Sequence, residues 1–296
     1  MHDNSPPQND SERSNRPVSL YDLVDPGDSD AVRDEVAHVA RLAGFGGAIP
    51  ELRSVHADVV RLFRGEFSGY SASSSQYHNL EHTCSVVLAA VRLLHGCVAA
   101  GIFPEPLSDR QGLLCVVAAY FHDAGMIRKE GDGGSGPAQM EGHEERSAAL
   151  ASRYLTTRGC AEAEREACAN MIRCTNLALS PDEILGMPVM AKLLGCVVGS
   201  ADLLAQFADV RYPQKLHLLF QEFVEAGCAV YASEQDLIAK TGTFYREVVC
   251  RRLDGGLRGL HQHMREHFRT RWGVDEDMYA TSIARNLTIV ERMGGR

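Results

Sequence analysis

Four short stretches carry side chains that could do chemistry together: Tyr77-His78-Asn79-Leu80-Glu81-His82, Phe121-His122-Asp123, Gly142-His143-Glu144-Glu145-Arg146-Ser147-Ala148 and Ser200-Ala201-Asp202-Leu203-Leu204. His82, His122, Asp123 and Asp202 offer two imidazoles and two carboxylates. That mixture suits a borderline or hard divalent ion that activates water. It does not distinguish Mn, Mg, Zn, Fe, Co or Ni. His78 and His82 are four residues apart, so on a helix they would share one face and could touch one ion or one substrate. The ordinary alternative is two exposed histidines at a helix start. Asp202 is harder to dismiss. Its neighbours include Leu194, Val197, Val198, Ala201 and Leu204, and a carboxylate among them is costly unless paired or bound to metal.

Two histidine groups are decoys. His143-Glu144-Glu145-Arg146-Ser147 lacks the His that a zinc-protease helix needs at position 147. In the cluster His261, His263 and His267, the last two lie beside the face marked by Leu257, Leu260, Met264 and Phe268. Several arginines accompany them, so a solvated basic face is expected. The Gly-rich segment 130–136 is followed by no Gly-Lys-Ser/Thr and preceded by no strand, so it does not cradle phosphate. It reads as a flexible connection, or as a mobile lid close to His122 and Asp123.

Helices must position these groups. From residue 18 onward the apolar spacing is helical almost throughout. Asp30 is expected to cap one helix ending at Gly44, and Pro50 to start another. Asn79 to Ala99 is long and apolar, and a run from Leu113 to Phe121 follows a start at Asp109. Further helices are expected over 141–158, 161–175, 189–209, 213–227, 234–253, 257–271 and 275–293. No strand alternation bounded by turns occurs. The predicted fold is an all-α bundle: a polar, disordered tail over 1–17, a domain over 18–230, and a helical extension over 231–296 packed on that domain.

Composition limits the function. With 296 residues, 45% of them hydrophobic, the chain can bury a sizeable core. The net charge of -9 and the lack of Lys/Arg runs argue against a surface for nucleic-acid backbones. Nine cysteines without a CxxC pair read as buried thiols in a reducing compartment. No apolar signal region or membrane span is expected, so the chain reads as a soluble cytoplasmic protein. Oligomeric state is not set by the sequence.

In this order, Tyr-His-Asn-x-x-His, His-Asp, a Glu-rich helix start followed by Ser-Ala, and Ala-Asp-Leu resemble the HD-domain metal-dependent phosphohydrolases. The first motif is similar to that of cyclic-nucleotide phosphodiesterases and of predicted bacterial HD phosphohydrolases. The likeness spans about residues 50–225. It implies that His82, His122, Asp123 and Asp202 hold one divalent ion, and that a second ion would bridge through Asp123. It implies that His78 is a general acid, and that Glu144 and Glu145 bond the metal-bound water or a histidine ring. Two departures are visible: Gly142 and His143 stand where the bacterial family often has an acidic residue and Asn, and segment 123–144 is longer. His143 is therefore an odd candidate ligand, otherwise a residue at a helix N-terminus. The expected activity is hydrolysis of a phosphate mono- or diester, with a small phosphorylated molecule, a nucleotide included, as substrate. The ion would lower the pKa of a bound water from 15.7 towards roughly 7, and His78 would protonate the leaving alkoxide. Arg128, Lys129 or Arg146 could bind the substrate phosphate. The alternative is a catalytically silent HD module that binds a ligand.

Overall fold

The computed structural model describes residues 19–295; the expectation of a disordered tail over 1–17 lies outside them. Twelve α-helices form the described chain, with one isolated β-bridge, Tyr70–Lys129, and no strand among the described residues. They are α1 Leu20–Leu23, α2 Ser29–Leu42, α3 Ile49–Phe63, α4 Leu80–Ala99, α5 Asp109–Phe121, α6 His143–Thr157, α7 Glu162–Arg173, α8 Val189–Ala208, α9 Tyr212–Glu225, α10 Glu234–Phe244, α11 Met264–Trp272 and α12 Met278–Gly294. The fold is all-α.

Local chemistry sets most boundaries. Asn79 caps α4 by accepting the His82 N–H at 3.1 Å. Ser108 and Gln111 form a reciprocal capping box on α5. Asp28, not Asp30, caps α2, because its carboxylate accepts the backbone N–H groups of Asp30 and Ala31. Pro50 sits in the first turn of α3 as expected.

The packing is centred on α4 and α8, which lie against each other. By length and composition both could cross a membrane, contrary to the sequence expectation, yet 83% and 78% of their apolar windows are buried within the protein. They carry Glu81, Arg92, Lys192 and Asp202. α5 is buried from Gly112 through Phe121, as a helix enclosed on all sides must be apolar all round. Seven of the nine cysteines are buried thiols, and all nine are free.

The C-terminal residues complete the same core. α11 packs on α4, and α12 packs on α8 and α10. One cluster of buried apolar side chains extends from Leu20 to Val290. Two single-turn π segments, Tyr245–Val249 and Arg252–Gly256, follow α10 where one helix over 234–253 was expected. A 3₁₀ turn at Leu260–His263 precedes α11. His267 is fully buried, with Nδ1 3.0 Å from His95 Nδ1, so the expected solvated histidine face does not form at that residue.

Candidate metal centre

Three helix ends and one mid-helix position bring the chemistry-bearing residues together. His82 is in the first turn of α4, and the Asn79 cap fixes where that turn begins. His122 and Asp123 follow the last turn of α5, where the chain tightens into a 3₁₀ turn at Ala124–Met126. Asp202 comes from α8. Ligand atoms of His82, His122 and Asp123 lie within 4.8 Å of one another, and all three residues are buried. Asp202 Oδ1 joins them, 3.6 Å from both His82 Nε2 and His122 Nε2. The side chain of Asp202 is 22% exposed and faces a cavity, not the apolar core its neighbours suggested.

The tautomer of His122 follows from its contacts. Its Nδ1 is 2.9 Å from the Ala119 carbonyl, a contact that only an N–H can make. Nε2 is thereby aimed at the cluster. Among the described residues, His122 Nε2 and Asp123 Oδ2 have no hydrogen-bond partner, although they lie 3.1 Å apart. Buried polar atoms are rarely left so. A carbonyl holding the far nitrogen of an imidazole is the usual support of a metal-ligating His. The residues therefore fit a divalent ion. Without one, the charges balance each other. Burial opposes ionisation of Asp123, but the His122 charge outweighs it and holds the carboxyl well below its usual range. Burial likewise opposes protonation of His122, and Asp123 lifts it to about 9.

His143 belongs to the same cluster. Its Nδ1 is 2.7 Å from the Met140 carbonyl and its Nε2 is 3.2 Å from Asp123 Oδ1. The two oxygens of Asp123 thus face different partners, His82 and His122 on one side and His143 on the other. Burial would lower His143, but the bond to Asp123 raises it to about 9. Gly125 makes this approach feasible. A Cβ there would lie 2.2 Å from the His143 carbonyl oxygen and 2.6 Å from the Ser147 N, both backbone atoms. The Gly125 N–H instead donates to Ser147 Oγ at 2.8 Å.

His78 precedes the Asn79 cap, so it is not on a helix with His82. The two rings still meet edge to face, with centroids 5.5 Å apart. His78 Nδ1 is 2.5 Å from Glu222 Oε2 on α9, and Glu222 Oε1 accepts the Tyr77 N–H at 2.7 Å. Burial alone would lower the His78 pKa; the bond to Glu222 and the Asp123 charge raise it above the ordinary value. Glu222 lies 144 residues from His78, so sequence spacing does not connect the two. Its place between Leu219 and Phe223 on an amphipathic helix was the available signal.

A cavity of about 440 Å³ opens onto these groups. His78, Asp123, His143, Glu144 and Asp202 form its polar end. Its other walls include Leu203, Leu219, Phe223, Tyr231, Leu237 and Phe244. Among the described residues lining it there is no Lys or Arg. Three expectations are corrected here. Glu145 turns away and pairs with Arg173 at 2.8 Å, so Glu144 alone of the two faces the site. Arg128, Lys129 and Arg146 line a separate cavity and cannot hold a substrate phosphate in this one. No residue of the Gly-rich segment 130–136 lines the site cavity; Glu130 N–H bonds Gly69, Ser135 bonds Glu225 and Gly136 N–H bonds Ser74.

The sequence family described as Npun_R2479-like matches residues 138–267, under half of the chain. The matched part supplies His143, Glu144, Asp202 and Glu222, whereas His78, His82, His122 and Asp123 precede it. No curated protein matches the chain.

Proposed function

We propose that the chain is a metal-dependent phosphohydrolase of the HD type its motifs resemble, acting on a phosphate ester with an apolar organic group. One observation supports this most. Buried ligand atoms of His122 and Asp123 without hydrogen-bond partners sit beside His82 and Asp202, at the polar end of a 440 Å³ cavity. That volume is in the range of pockets for small organic ligands, roughly 300–1,000 Å³.

His82, His122, Asp123 and Asp202 would hold the ion. Bound there, a divalent ion would supply Lewis acidity to the phosphoryl oxygens and acidify a water. His78 acts as the proton donor to the leaving alkoxide. Glu222 keeps that imidazole protonated and oriented, and the Tyr77 N–H fixes Glu222 in turn. General acid help of this kind contributes about 10²–10⁴-fold. Glu144, 3.5 Å from His143 Nδ1, borders the same space and is the carboxylate placed to accept a proton from water. The absence of Lys and Arg among the described lining residues disfavours substrates with several phosphates. The apolar wall favours one phosphate on an aromatic or aliphatic alcohol.

His143 on the far oxygen of Asp123 supports a second reading of metal number, with two ions bridged by that carboxylate. Metal analysis of the purified chain, followed by turnover on a panel of phosphate mono- and diesters, tests both. We expect one or two tightly held divalent ions and hydrolysis of aryl or alkyl esters in preference to nucleoside triphosphates. Metal-replete protein that cleaves no ester on the panel would favour the silent ligand-binding alternative. Protein that takes up no ion would remove the proposal.

A further inference from the structure

Behind the wall of the metal cluster lies a second cavity of about 160 Å³. Four cations line it, Arg128, Lys129, Arg146 and Arg153, against a single carboxylate, Asp132. Among the described residues none of the four is paired with a carboxylate. Arg128 Nη1 donates to the Asp132 carbonyl at 2.9 Å, and Arg153 Nη2 donates to the Tyr70 hydroxyl at 2.9 Å. Arg146 is spent on backbone carbonyls of Gly125, Glu141 and Gln139, which fixes its charge in place. The Lys129 ammonium makes no side-chain bond among the described residues.

This is unusual in a chain of net charge -9, where carboxylates outnumber cations 39 to 30. Elsewhere on the molecule Arg110, Arg173, Arg211 and Arg265 each have an acidic partner. Like charges gathered in a concavity repel one another and attract counter-ions into it. The cavity is smaller than the roughly 300–1,000 Å³ typical of organic-ligand pockets. A ligand that filled it would be small, and negative charge would suit its lining.

We propose that this cavity is a binding site for a pyrophosphate-type group, distinct from the metal cluster and not dependent on the function proposed above. A planar guanidinium presents a fork of donors suited to phosphate oxygens, and Lys129 adds a point charge. The site shares a wall with the metal cluster. The Gly125 carbonyl accepts from Arg146 Nε at 3.0 Å, and Gly125 is two residues from Asp123.

The test is calorimetric titration of the full chain with inorganic pyrophosphate in the presence of a chelator, so that no metal-bound phosphate contributes. Sodium chloride at matched ionic strength controls for screening. We expect saturable binding at one site per chain. The double variant Lys129→Glu/Arg153→Glu changes two exposed side chains and should weaken binding by tenfold or more. His78→Ala, on the other side of the wall, should leave it unchanged. A nucleoside diphosphate that binds no tighter than pyrophosphate would make the ligand inorganic; tighter binding would place the group on a nucleotide. Three results would overturn the proposal: no saturable binding, unchanged binding in the double variant, or binding that is lost in His78→Ala.

Discussion

At the scale of single residues, the proposed function separates groups that would hold an ion from groups that would move a proton. Asp202→Ala removes one carboxylate from the cluster and should lose metal and melt earlier, because ion binding stabilises only the folded chain; full metal content in that variant would remove Asp202 from the ligand set. Glu145→Ala should leave metal and turnover near wild type, since Glu145 serves Arg173. His78→Ala should keep its metal and slow by about 10²–10⁴-fold on an alkyl ester. It should slow much less on a nitrophenyl ester, whose leaving group needs no proton. Glu222 bonds His78, so in the proposed mechanism it would be a positioning residue. Glu222→Gln should therefore show the same leaving-group dependence, and His78→Ala/Glu222→Gln should be no slower than His78→Ala alone. Additive losses in the double variant, or equal losses on both esters, would separate the two residues. The convergence of His82, His122, Asp123 and Asp202 beside His78 was legible in the sequence because each stands in a short motif. Glu222 and the partnership of His143 with Asp123 were not, because both depend on which helices meet. Glu144 and Glu145 were indistinguishable as neighbours in sequence; only the direction of α6 separates them.

At the scale of elements, caps and apolar spacing revealed most of the helices. Their contacts were hidden, and two glycines mark where backbone meets backbone. A Cβ on Gly125 would lie 2.2 Å from the His143 carbonyl oxygen, and one on Gly96 would lie 2.1 Å from the His263 carbonyl oxygen. Neither oxygen is the tip of a flexible side chain, so the helices themselves must move. Overpacking of this kind costs typically 1–3 kcal/mol. Gly96→Ala should destabilise by about that amount while metal content is unchanged, because the contact joins α4 to the turn before α11, away from the cluster. Gly125→Ala should destabilise similarly and also weaken metal binding, because it drives α6 from the turn that carries Asp123. Urea melts together with metal analysis check the contrast; equal metal retention in both variants would show that the α6 contact does not position Asp123. The breaks after α10 escaped the sequence reading for a related reason. π turns preserve an apolar pattern that looks like continuous helix over 234–253.

At the scale of the molecule, the apolar pattern indicates one all-α body but not how its ends close over α4. The C-terminal α11 lies against α4 and places His267 against His95, under a buried Arg92 whose Nη1 donates to the Tyr279 hydroxyl. Burial, and then the Arg92 charge, push His267 down to about 2, and burial lowers His95 as well. In the unfolded chain a His titrates near 6.5. Between about 2 and 6.5 the unfolded chain therefore holds a proton that folded His267 does not, so stability falls as pH drops below 6.5. The slope is about 1.4 kcal/mol per pH unit for each such proton. The cluster around Asp123 has the opposite sign. Without an ion, His122 and His143 titrate at about 9. Their contribution is fully present below 6.5 and is lost as pH rises towards 9. Chelator-treated protein should therefore be most stable near pH 6.5 and weaken on both sides between pH 5.5 and 8.5. His267→Gln, which cannot take up the proton in either state, should flatten the acid side by about one proton and leave the alkaline side alone. Urea unfolding of both proteins at intervals across that range reads the two slopes directly. An acid slope unchanged in His267→Gln would show that His267 does not stay neutral in the folded protein, and stability that does not fall towards pH 8.5 would show that His122 and His143 are not held protonated.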